Sequence, residues 1–280
     1  MSKRNNFFGS KSGYTPRTIA FLTLIGVPND GTVYFAATPQ QITGAGIWTA
    51  VNNFDLGIIA DGIDALLLAL YLYIGGTATA HKYNFMNTSA FEMIWSGGIT
   101  HNGVGVTGNG SNGYGLTQFT PNADGGAIYT QNSASFGFYT RTNEAGVYVD
   151  MGNHNAGTNS GSIAFRRRGG GNEFVGANNV ETVAGNTVAD IRKMYIVNRD
   201  NSATIEDYRD GILIASYARA STALIGVDYT ALAYNANGTP IFHSPRNYAL
   251  RYVGGGFTPT QITNFTNRVN TLQTALFRNV

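Results

Sequence analysis

The chain has 280 residues, 18 Lys and Arg against 16 Asp and Glu, a net charge of +2, and no cysteine. So small a charge excludes an electrostatic footprint for nucleic acid or an anionic membrane, and the missing cysteine excludes disulfides and thiolate metal sites. Charged residues make up 12% of the chain, half the ordinary share of about 25%, while 43% hydrophobic residues and 36 glycines suit a β protein with a sizeable core and many turns.

In chain order, residues 1 to about 17 read as a polar Gly/Ser/Lys arm, and no apolar run follows the first basic residues, so no signal peptide is expected. Thr18–Ile25 reads as a strand. Pro28-Asn29-Asp30-Gly31 is a turn, and Thr32–Phe35 its partner strand. Thr38-Pro39-Gln40-Gln41 has the cap, first-position proline and glutamine of a helix start. Residues 57–74 are the most apolar window. As a membrane span it would bury Asp61 and Asp64 at about 2.5–3.5 kcal/mol each, so it is expected to be a buried or interfacial helix from about Asp61 to Tyr73, ended by Gly75-Gly76.

From Gly75 to Gly256 the pattern is β-like. Strands are expected at Ala90–Trp95, Gly113–Phe119, Ala134–Arg141, Gly146–Met151, Ser162–Arg167, Thr239–His243 and Ala249–Val253. Between them lies a meander: Met194–Val197, then Ala203–Tyr208, then Ile212–Ile214 after the hairpin signal Asp210-Gly211. The chain closes with a helix. Thr258-Pro259-Thr260-Gln261 is a capping box, and Ile262, Phe265, Val269, Leu272 and Leu276 form one apolar stripe.

Two resemblances accompany these patterns. The stretch Arg192–Tyr217, with Tyr208-Arg209-Asp210-Gly211 at its centre, and the ending Gly254–Gln261 resemble laminin-G-type, concanavalin-like jelly rolls. The series Gly75–Lys82, Trp95–His101, Gly105–Phe119, Phe138–Arg141 and Asp150–Gly152 is similar to a family of bacteriophage virion and tail structural proteins. Together they imply a mainly β, concanavalin-like β-sandwich jelly roll over residues 75–280. A small N-terminal α+β arm and anchoring region would occupy 1–74, and an amphipathic helix would close the chain. The function implied is that of a non-enzymatic virion structural protein, a capsid decoration, spike or tail appendage. It would assemble in the host cytoplasm as a homo-oligomer with other virion proteins and bind host surface glycan. The alternative is a glycan-binding adhesin or lectin-type receptor-binding protein.

The residues themselves offer little catalytic chemistry. Glycoside hydrolysis needs two carboxylates flanking one bond, but Glu144, Glu173, Glu181 and Glu206 are isolated, and Glu206 and Asp207 point to opposite faces of a strand. His81, His101, His154 and His243 lack zinc spacing, and His81 reads as a hydrogen-bonded structural residue. Asp124, Asp150, Asn153 and Asn155 offer oxygens for a structural calcium, although ordinary turn chemistry explains them, and no cofactor is expected. Arg166-Arg167-Arg168-Gly169-Gly170-Gly171 is the densest positive patch, either a solvated hairpin tip or a contact to an anionic glycan. The Gly-rich run Gly103–Gly115 is followed by strand rather than helix, so it reads as turns and bulges, not a phosphate cradle. Among the aromatics, Tyr129, Tyr229 and Tyr234 are as easily packing residues as sugar platforms. Trp95, Tyr114, Tyr139 and Tyr148, with Arg167, are the expected glycan contacts.

Overall fold

The computed structural model describes residues 13–37, 40–144, 146–155, 160–167, 173–180, 182–184 and 190–280. Thr15 accepts from the Thr18 amide and Pro16 takes the first position of helix α1, Pro16–Leu24, where a strand is expected from the sequence alone. The cap and proline decide the conformation, because they satisfy and preset the first turn, and Thr18, Phe21 and Leu22 then share a buried side. The turn after Val27 leads into a hairpin of β1, Val33–Ala37, and β2, Gln40–Thr43. The helix start expected at Thr38-Pro39 lies in part outside the described residues, and the helix proper begins five residues on. Thr43 caps α2, Gly44–Ala60, through the Gly46 amide.

The apolar window 57–74 is not one helix. α2 ends at Ala60, Gly62 turns the chain at φ +64°, a single 3-10 turn follows at Asp64–Leu66, and Leu67–Tyr71 is strand β3. A strand buried on both faces shows no alternation, so its run of leucines reads like a helix. No helix among the described residues is long and apolar enough to cross a membrane.

The remaining elements follow in order: α3 Ala78–His81, β4 Ile94–Ser96, β5 Ile99–Asn102, β6 Gly105–Gly108, β7 Tyr114–Leu116 and α4 Pro121–Asp124. Next come β8 Ala134–Thr140, β9 Val147–Asn155, β10 Ser160–Arg167, β11 Glu173–Asn179, β12 Thr182–Ala184, β13 Lys193–Arg199, β14 Thr204–Arg209 and β15 Ile212–Ala218. The chain ends with β16 Thr230–Ala231, β17 Tyr234–Ala236, β18 Thr239–Ile241, β19 Asn247–Gly254 and α5 Pro259–Ala275. The expected meander is β13, β14 and β15, with Asp210 at φ +50° and Gly211 at +79°, the two positive values a primed hairpin turn requires. Strand β6 occupies part of the stretch Gly103–Gly115, which is expected from the sequence to hold turns and bulges.

These strands form a mainly β sandwich. One sheet runs β15-β14-β13-β8-β19-β6-β5, with β3 also paired to β19. The other runs β12-β11-β10-β9-β16-β7-β4, and β17 lies parallel to β9 while pairing with β18. Between the sheets sit Tyr71, Phe119, Phe136, Phe138, Tyr195, Val197, Tyr229 and Val253. The first sheet has a second buried face. Leu70, Met194, Ile196, Leu250 and Tyr252 meet α1, α2 and α5 in a helical core that includes Trp48, Phe54, Ile262, Phe265 and Val269. Its central strands therefore alternate between two apolar environments, and the molecule has three layers: helices, sheet, sheet.

α5 is built as its sequence announces. Thr258 and Gln261 close the capping box, and the stripe from Ile262 to Leu276 is buried. It packs on α2 at Gly57, where a Cβ would lie 2.6 Å from the Arg268 side chain, and Arg268 reaches Asp61 at 2.9 Å. The division expected between residues 74 and 75 thus cuts through one sheet, at β3 and β19, and through one helical core, at α2 and α5.

Between the sheets a polar knot replaces part of the apolar filling. Arg246 Nη1 donates to both oxygens of Asp150 at 2.9 Å, both side chains are 0% exposed, and Tyr248 donates to the same carboxylate. Arg251 stacks on the Tyr248 ring at 3.8 Å and donates to the Asp150 carbonyl. Such a pair specifies one arrangement of the strands more than it adds stability, since its desolvation offsets its attraction.

Candidate functional site

Of the five residues expected to meet a glycan, the four whose side chains are described do not converge. Tyr139 is fully buried between β8 and the C-terminus, with its hydroxyl donating to Asn279 at 2.8 Å, so it reaches no loop face. Its place on the helical side of the first sheet follows from strand alternation, because Phe138 takes the inter-sheet side. Tyr148 is half-buried, and the Arg246 guanidinium lies 5.4 Å from its ring. Arg167 ends β10, and its side chain lies outside the described residues, as do Arg168 and the glycines after it. Tyr114 and Trp95 sit on paired strands, but Trp95 is opposite Gly115 and Ser96 opposite Tyr114, so the two rings lie on opposite faces. Tyr114 instead meets His243, ring centres 5.9 Å apart. Tyr129 and Tyr229 are buried and share a hydroxyl hydrogen bond of 2.8 Å inside the sandwich.

Trp95 lines a cleft. At the β4 edge a shallow depression of about 400 Å³ is walled by Ala78, Thr79, Lys82, Glu92, Met93, Ile94, Trp95 and Gln118. Three local decisions set the indole. Thr77 caps α3 through the Ala80 amide, which presents the Ala78 carbonyl to Trp95 Nε1 at 3.2 Å. Gly115, across the ladder, leaves room for the ring: a Cβ there would stand 2.7 Å from Trp95 Cζ3 and 2.5 Å from Met93 Sδ. Behind it, His101 meets the indole edge to face at 4.8 Å and Tyr73 lies 6.0 Å away. The ring is half-buried and neighbouring Ile94 is 51% exposed, so the floor of the cleft is apolar.

Its rim is polar and balanced. Lys82 Nζ reaches Glu92 at 2.6 Å, and that hydrogen bond holds the lysine above its ordinary value. Gln118 donates to the Glu92 carbonyl. Phe91 and Gln118, which bracket this rim, both hold φ +56°, an unfavourable conformation for such residues that collects at functional sites. An apolar ring bordered by an amide and by groups of both signs can stack on the C–H face of a small ligand while exchanging hydrogen bonds with its hydroxyls.

The site also contains something the sequence spacing did not signal. His81 and His101, twenty residues apart, come within 3.1 Å through their Nδ1 atoms, and the Gly76 amide donates to His81 Nε2 at 3.1 Å. His81 is indeed a hydrogen-bonded structural residue, but its partner arrives through the turn between β4 and β5. Burial first, then the charges of His101 and Arg278, push His81 down to about 3, and burial lowers His101 as well.

Asp124, Asp150 and Asn153, three of the residues considered for calcium, have separate partners. Asp124 accepts from the Thr120 amide at 2.7 Å, Asp150 is paired with Arg246, and Asn153 donates to the Val227 carbonyl at 2.7 Å. Among the described residues no group of three His, Asp or Glu side chains is placed to hold a metal ion.

No family model matches the chain, and no curated protein matches it. Among solved structures, domain 4 of AbnA, a GH43 extracellular arabinanase from Geobacillus stearothermophilus, in complex with arabinotriose, is similar at a TM-score of 0.47 and 14% identity, over 72% of this chain and 98% of that one. The receptor binding domain of botulinum neurotoxin C/D mosaic serotype matches at 0.47 and 14%, over 73% of this chain and 52% of its own length. The CBM40 of Ruminococcus gnavus IT-sialidase matches at 0.38 and 13%, over 49% of this chain and 84% of that one.

Proposed function

We propose that this chain is a non-enzymatic, glycan-binding β-sandwich whose cleft at Trp95 takes a neutral saccharide. The observation that carries the reading is the half-buried indole, held on three sides and open on the fourth, beside the Lys82–Glu92 pair and the Gln118 amide. The paired rim charges cancel, which favours a ligand rich in hydroxyls over an ionic one. Binding rather than hydrolysis fits a cleft in which Glu92, already paired with Lys82, is the one carboxylate among the described lining residues.

The sequence resemblance supplies the setting we infer: the outside of a bacteriophage particle, where a homo-oligomeric decoration, spike or tail appendage would use the cleft to hold host surface glycan. A glycan array tests the binding. Saturable binding by the intact chain, weakened at least tenfold in Trp95→Ala and unchanged in Tyr114→Ala, is the expected result. Tenfold corresponds to about 1.4 kcal/mol, within what one buried aromatic face contributes. Binding that survives Trp95→Ala, or an array with no saturable signal at millimolar saccharide, overturns the reading.

A further inference from the structure

We infer that the His81–His101 pair is a proton-sensitive support for the Trp95 indole, so that the cleft is formed when both rings are neutral and loosens when His101 gains a proton. The inference deepens the glycan-binding reading and rests on Trp95 being the floor of that site.

Hydrogen-bond direction fixes the neutral state. The Gly76 N–H can only donate, so His81 Nε2 must be the bare, accepting nitrogen. The proton of His81 is then on Nδ1, facing His101 Nδ1 at 3.1 Å, which must accept. His101 therefore carries its own proton on Nε2, a buried atom with no hydrogen-bond partner. This one-way chain, from backbone amide through two imidazoles, has no alternative tautomer. Moving the His81 proton to Nε2 would set it against the Gly76 N–H.

A proton added to His101 Nδ1 would set N–H against N–H across the same 3.1 Å gap. Among the described residues no carboxylate pairs with either imidazole. The groups facing His81 are the Tyr73 ring at 5.7 Å, His101, and the Arg278 guanidinium, which donates to the Tyr73 carbonyl at 2.9 Å and opposes any added positive charge. The groups facing His101 are His81 and Trp95. Protonation thus breaks the imidazole pair and turns His101 out of the wall against which the indole leans. His101 is a positioning residue here, acting on the ligand only through Trp95.

The test reads the indole itself and needs no saccharide, so it stands or falls separately from the array. The chain has two tryptophans, and Trp48 is fully buried in the helical core, so Trp48→Phe leaves Trp95 as the sole indole emitter. Its emission is titrated from pH 7.5 to 4.5, with far-UV circular dichroism confirming that the chain stays folded. The expected result is one transition with a midpoint below 6.5, absent when His101→Gln is added, because the glutamine oxygen still accepts from His81 but does not titrate. A flat titration of the folded chain, or a transition that persists in His101→Gln, overturns the proposal. Should Trp48→Phe not fold, the Trp95 indole N–H cross-peak of the wild-type chain is followed by NMR over the same range, with the same two outcomes. A neutral-pH NMR spectrum showing His101 protonated on Nδ1 also overturns it.

Discussion

Gly115 and Trp95 form one unit: the indole lies where a side chain on the facing strand would be, and a single added methyl group would meet both its ring and Met93. The histidines behind that ring set a pH dependence of stability. His81 titrates at about 3 in the folded chain against 6.5 when unfolded, with burial the main cause. A base whose folded value is depressed binds its proton more weakly in the folded state. Its stabilising contribution is therefore complete above about pH 6.5 and is lost as pH falls toward 3. At about 1.4 kcal/mol per pH unit, the wild-type chain should lose about 3 kcal/mol more than His81→Asn between pH 7 and 4. Urea unfolding at the two pH values checks this, and parallel losses in the two chains would remove His81 as the cause. Little of this was legible in the sequence. Trp95 is one of five candidate contacts read from the sequence, with nothing there to set it above the others, and the histidine pair depends on a turn between β4 and β5 that no spacing rule encodes.

At the scale of elements, β3 and α2 bind the N-terminal quarter to the rest. β3 pairs with β19 in the first sheet, and α1 and α2 join α5 in the helical core on that sheet's second face. A fragment of residues 75–280 would expose that face and strip one neighbour from β19, so it should be insoluble or bind a hydrophobic dye strongly. A monodisperse 75–280 fragment with the circular dichroism of a folded sandwich would show α1, α2 and β3 to be dispensable for the fold. The same elements explain which parts of the fold could be read in advance. α5 and the β13–β15 meander were legible because their signals are local, a capping box and a primed turn, and the tertiary structure agrees with both. β3 was not, because a strand buried on two faces loses the period-two pattern, and α1 was not, because its short apolar run fits either period until the Thr15 cap is counted.

For the whole molecule the scarcity of charge governs behaviour in salt. Net charge is +2, and one described ion pair, Asp150–Arg246, is wholly inside, where ions do not screen it. Exposed pairs such as Arg192–Asp190 are screened by solvent and add little to stability. The melting temperature should therefore move by no more than about 3 °C between 50 and 500 mM sodium chloride. The same contrast separates two ways of holding a glycan. Stacking on Trp95 beside a neutralised Lys82–Glu92 rim is insensitive to salt. Recognition of an anionic glycan by the arginine run at 166–168 would weaken steeply as salt screens it. Measured across that salt range, affinity for the best array saccharide should change less than twofold. A loss of tenfold or more would move the binding face from the Trp95 cleft to the arginine run, and would make charge, not ring stacking, the basis of recognition.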